Sequence, residues 1–79
     1  NKTMKRFIKV DSNVHIEAKH VAKLSDDGSD TTITVNYDTA DDGVDTFTVT
    51  GKAGNAYLEA LIHEINYSKE IVIDAANIA

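Results

Sequence analysis

Thr32-Ile33-Thr34-Val35-Asn36-Tyr37, then Asp38-Thr39-Ala40-Asp41-Asp42-Gly43, then Thr46-Phe47-Thr48-Val49-Thr50 is the stretch whose reading decides the fold. Both outer segments alternate apolar and polar side chains with a period of two, the mark of a half-buried strand. Ile33, Val35 and Tyr37 share one face of the first, and Phe47 and Val49 share one face of the second. Threonine and asparagine fill the opposite faces, and β-branched residues suit a pleated surface. The linker between them is rich in Asp and ends in Gly, the chemistry of a hairpin connection. The two segments are therefore expected to pair, with the aromatic residues on the core side.

Upstream, Ser25-Asp26-Asp27-Gly28-Ser29-Asp30 is a second turn cluster, so the segment before it should pair with the strand beginning near Thr32. That segment, Val14 to Leu24, admits two readings. As a strand, Val14, Ile16 and Ala18 share a face, after which the parity slips toward Val21 or Leu24 and marks a bulge. As a helix, Val14, Ala18, Val21 and Ala22 form a stripe that Ser12 or Asn13 caps. The bent strand is preferred. Arg6-Phe7-Ile8-Lys9-Val10 reads as the opening strand, ended by Asp11-Ser12-Asn13.

Downstream, Leu58, Leu61, Ile62 and Ile65 recur at i, i+3, i+4 and i+7, which predicts an amphipathic helix. Gly51 and Gly54 bracket its start, and Asn66 with Ser68 marks its end. Glu70-Ile71-Val72-Ile73-Asp74 then reads as a short buried strand, since a continuous β-branched run fits a covered strand. The predicted architecture is a single α+β domain over residues 1–79. It is a strongly curved antiparallel sheet of five or six strands, a small and partly open barrel, with one amphipathic helix before the last strand.

With 79 residues, 42% of them apolar and 27% charged, the composition is that of an ordinary globular chain with room for one modest core. The absence of cysteine excludes disulfides, thiolate catalysis and the common structural zinc sites. The longest aliphatic run, Ile71-Val72-Ile73, is far short of the roughly 20 apolar residues that a membrane helix needs. Lys9 and Asp11 interrupt the apolar stretch that would follow the basic start of a signal peptide, so a soluble, cytoplasmic protein is expected. The net charge of −5 repels phosphate backbones on average. It is unevenly spread: Lys2, Lys5, Arg6 and Lys9 supply half of the positive charge, whereas no Lys or Arg lies between Lys23 and Lys52.

The chemistry-bearing residues do not assemble into a known motif. Asp26, Asp27 and Asp30 lack the alternate carboxylate spacing and the following Glu of a calcium loop, and hairpin turns select the same residues. Glu59 and His63 have the i, i+4 spacing of two ligands on one helical face, but two ligands do not make a site. His15 and His20 differ in strand parity and do not converge. Ser12, Ser25, Ser29 and Ser68 lie outside any nucleophile-elbow context. Gly51-Lys52-Ala53-Gly54-Asn55 leads into the helix, where free amides and Lys52 could receive an anion, though the loop is too short for a phosphate-binding signature. The aromatic residues read as core rather than as a nucleic-acid stacking platform.

The closing segment Ile71-Val72-Ile73-Asp74-Ala75-Ala76-Asn77-Ile78 resembles the last strand pair of Sm-like small barrels, where an apolar triplet precedes an Arg-Gly pair and another apolar position. The resemblance spans about a tenth of the chain and implies an SH3-like barrel. Asp74-Ala75 stands where the family has Arg-Gly, and the predicted helix precedes the last strand rather than opening the chain. Because the Arg-Gly pair forms part of that family's RNA pocket, no binding residue carries over.

Together these features point away from an enzyme, with no catalytic residue, cofactor or metal site to name. The expectation is a non-enzymatic protein-interaction or assembly module, with a protein partner or self-association. Its candidate interaction edge is the first strand with Lys5, Arg6 and Lys9, because an uncovered edge either needs protection or takes a partner. The alternative is a degenerate Sm-like nucleic-acid binder using the same basic segment.

Overall fold

The computed structural model describes residues 5–37 and 43–78. Along the chain run β1 (Phe7–Asp11), β2 (Val14–Glu17), a 3₁₀ turn (Ala18–His20), β3 (Val21–Asp26), β4 (Thr31–Asn36) and β5 (Val44–Val49). The helix α1 (Asn55–Tyr67), β6 (Val72–Asp74) and a second 3₁₀ turn (Ala75–Asn77) follow. This is an α+β chain whose helix precedes its last strand.

The strands do not form one curved antiparallel sheet. They divide into two three-stranded sheets, ordered β2-β1-β6 and β3-β4-β5, and the described residues form no closed barrel. The division arises in the segment that admitted two readings. Val14 to Leu24 is extended, but the 3₁₀ turn at Ala18–His20 redirects it, so β2 serves one sheet and β3 the other. The parity slip has a second trace, an irregularity in the β3–β4 register between Val21 and Lys23.

β6 departs from the expected antiparallel pattern by pairing parallel with β1, Phe7 opposite Val72 and Ile8 opposite Ile73. A parallel partner needs a long connection. Here the whole chain between β1 and β6 supplies it.

The β4–β5 hairpin pairs as its alternation requires, with Ile33 opposite Phe47 and Thr31 opposite Val49. Residues 38–42 of its predicted turn lie outside the described residues. The core lies between the sheets and the helix, and includes Ile8, Val10, Ile16, Ile33, Val35, Val49, Leu61 and Ile73. Tyr37, expected on the core side, sits at the surface beside His20, with ring centroids 5.3 Å apart.

The helix is rotated from the predicted stripe. Tyr57 and Leu61 are its buried residues, Leu58 and Ile65 pack partly, and Ile62 is 45% exposed. The Tyr57 hydroxyl donates to the Ala75 carbonyl at 2.7 Å, which gives a buried phenol the partner it requires. Burial first, and the negative charge of Asp74 second, push its pKa up to about 12.

Candidate interaction surface

The two ends of α1 are held by different means. At the start, Gly54 takes the N-cap position with φ of 97°, a conformation open to glycine and strained for other residues. Having no side chain, it offers no acceptor to the first-turn amides, and the β3–β4 turn instead binds the amide of Gly54 itself and the loop before it. Asp26 Oδ2 accepts from the Gly54 amide at 3.1 Å and from the Gly28 amide at 3.0 Å, and Asp30 Oδ1 accepts from the Gly51 amide at 2.8 Å. The fully buried Thr31 hydroxyl adds a bond of 2.7 Å to the Lys52 carbonyl.

Two amides of the loop expected to receive an anion, and its lysine, are thus engaged within the chain. Gly51 and Gly54 already donate to carboxylates, and Lys52 Nζ donates to the Ile78 carbonyl at 3.1 Å. Asp27 is committed in the same way. Its Oδ1 accepts from the amides of Ser29 and Asp30 at 2.9 and 2.8 Å, and these bonds, that from Asp30 foremost, lower its pKa.

At the other end, Arg6 closes the helix. Its guanidinium donates to the carbonyls of Glu64 and Ser68, each at 3.2 Å, and also to that of Ile65. The Glu64 carbonyl also accepts from the Ser68 amide, so the guanidinium adds to that cap, and a cation at the last turn complements the helix dipole.

The predicted basic edge is accordingly dispersed. Lys5 is exposed beside a hollow that Lys19 and Glu17 also line, Arg6 is engaged with the helix, and Lys9 stands mid-strand between His15 on β2 and Asp74 on β6. β1 is the central strand of its sheet, hydrogen-bonded on both sides. Its backbone offers no open edge for another subunit.

β6 is one of the two edge strands of that sheet, β2 being the other. The Phe7 amide donates to the Ile71 carbonyl at 2.8 Å, so the main chain of Ile71 faces β1. Because bonding direction alternates along a strand, the N–H and C=O of Val72 face away from β1.

Beside this edge lies an open groove of about 620 Å³, walled by Ala60 of α1 and by Val72, Ile73 and Ile78. Its remaining lining is His63, Glu64, Glu70, Asp74 and Asn77. Ile71 and Val72 are 58% and 48% exposed, although the sequence predicts a buried strand, and nearby Tyr67 is 71% exposed. Only Ile73 of the aliphatic triplet reaches the core. Val72 also lies level with half-buried Phe7 on the outer face of the sheet.

The continuous apolar run concealed this surface. Alternation would have exposed an outward-facing side, whereas Ile-Val-Ile reads as covered on both. The available signal is the pair of carboxylates flanking the run, Glu70 and Asp74, which a doubly covered strand has no reason to carry.

Glu59 and His63 do not form a joint site. The Glu59 carboxylate accepts from the Asn55 side chain at 2.9 Å, while the His63 ring lies against Tyr67 with centroids 4.9 Å apart. His15 is exposed, and His20 lies 3.5 Å from Glu17. Among the described residues no helix is long and apolar enough to cross a membrane. Compared with known proteins, the chain matches no family model, no curated protein and no solved structure.

Proposed function

We propose that this chain is a non-enzymatic protein-interaction module that binds an extended segment of a partner protein by strand addition along β6. The observation that carries the reading is the edge itself: outward-facing main-chain groups at Val72, with exposed Ile71 and Val72 beside a helix-walled groove. In this mode of recognition, backbone hydrogen bonds supply affinity and side-chain pockets supply selectivity. Each added backbone bond contributes about 0.5–1.5 kcal/mol net. A strand of three residues therefore needs apolar burial in the groove as well.

The test is a nuclear magnetic resonance titration with three capped heptapeptides that alternate valine with serine, lysine or glutamate. At least one should shift the resonances of Ala60, Glu64, Val72 and Asp74 and slow exchange of the Val72 amide. Val72→Pro removes that outward N–H at a position where an edge strand tolerates proline, and it should abolish the response. Shifts confined to another face, or undiminished binding by the proline variant, would refute strand addition at β6.

A further inference from the structure

We infer, resting on the strand-addition reading, that the segment received at β6 is basic, with Lys or Arg on either side of an apolar side chain that enters the groove. The groove lining carries three carboxylates, Glu64, Glu70 and Asp74, and no Lys or Arg. Every element bordering it conforms. The helix contributes His63 and Glu64, the approach to β6 contributes Glu70, β6 contributes Asp74, and the closing turn contributes the uncharged Asn77. The adjoining cations are Lys69, next to Glu70 in the chain, Lys9, level with Asp74 across the sheet, and Lys52 and Arg6, which are engaged with the carbonyls of Ile78 and Glu64.

These carboxylates differ in kind from those of the β3–β4 turn. Asp26, Asp27 and Asp30 each accept backbone N–H groups. The carboxylates of Glu64 and Glu70 meet no donor and no cation among the described residues. Asp74 is divided between the two uses: it accepts from the Ala76 amide and from the Asn77 side chain, and it still faces the groove. Acidic groups left unpaired at the rim of an apolar groove favour an approaching positive segment over a neutral or negative one, and the overall charge of −5 adds to the attraction.

The same charges disfavour a second copy of this chain. In a two-fold antiparallel pairing centred on Val72, Glu70 of each copy would stand opposite the other copy's Asp74. Like charges directly opposite across strands are destabilising.

Fluorescence anisotropy with the same three peptides, at 25 and 250 mM NaCl, tests the assignment. The lysine peptide should bind about tenfold more tightly than the serine peptide at low salt, as expected for two or three rim charges. The glutamate peptide should bind least, and high salt should narrow the differences. The double variant Glu64→Gln, Glu70→Gln should bring the lysine peptide down toward the serine peptide. If the serine peptide binds as tightly as the lysine peptide, or if the double variant leaves the ranking intact, the basic-partner inference fails while strand addition stands. If none of the three binds, strand addition fails and the inference with it. A dimer by light scattering that Val72→Pro converts to monomer would identify a second copy as the occupant and overturn the inference.

Discussion

Two acidic regions flank α1 and are used in opposite ways. Near the helix start, three aspartates of the β3–β4 turn face inward to backbone amides, and each has a donor. Along β6, Glu64 and Glu70 border a groove without partners among the described residues, beside aliphatic side chains that the core leaves out. Counting carboxylates does not separate the two regions. Asking which amides each carboxylate accepts from does: the turn aspartates accept from Gly28, Ser29, Asp30, Gly51 and Gly54, whereas Glu64 and Glu70 accept from none among the described residues.

The comparison is tested most severely by removing the carboxylates in pairs. Asp26→Ala with Asp30→Ala leaves the amides of Gly28, Gly51 and Gly54 without their acceptors, and losing these three bonds should lower stability by about 2 kcal/mol. Asp26→Asn alone, which keeps an acceptor oxygen, should retain most of the stability. Glu64→Gln with Glu70→Gln should stay within about 0.5 kcal/mol, as for surface changes away from structural contacts. Urea unfolding midpoints measure all three. Equal losses from the two pairs would show that the regions do not differ in role.

The second prediction concerns the tie between the helix and the segment beyond β6. Tyr57→Phe removes the donor to the Ala75 carbonyl and should cost about 1 kcal/mol, the net value of one buried hydrogen bond. Its pH signature is more specific. Tyr57 has a raised folded pKa, so its contribution is complete below the unfolded value near 10 and is lost as pH rises toward about 12. Wild-type stability should therefore fall across that alkaline window, and Tyr57→Phe should fall less. Matching alkaline profiles would separate Tyr57 from that loss.

Residues that obey a strong local period were legible in the sequence, and those answering to a distant partner were not. The β4–β5 hairpin follows from Ile33, Val35, Phe47 and Val49, whose alternation agrees with the observed register. The helix follows from Leu58, Leu61 and Ile65, yet its rotation does not, because the side chain that sets it, Tyr57, is fixed by a carbonyl 18 positions away. Arg6 read as a free surface charge for the same reason: its acceptors lie about sixty residues on, at the end of the helix. The β6 edge stayed hidden because an Ile-Val-Ile run carries no record of which side is covered.

The smallest expected effect follows the turn carboxylate of Asp27 by titration. Two backbone amides donate to Asp27 Oδ1, that of Asp30 the larger influence, and they hold its folded pKa below the ordinary value of 3.8. A carboxyl with a depressed folded pKa stabilises the fold above its unfolded pKa, and the contribution is lost as pH falls through the folded value. The loss due to Asp27 therefore begins near pH 3.8 and develops on the acid side, not near neutrality. Asp27→Asn keeps an acceptor oxygen but cannot titrate, so urea midpoints between pH 5 and 2.5 should fall less steeply for this variant than for wild type. Matching acid profiles for the variant and wild type would show that the amides of Ser29 and Asp30 do not set that loss.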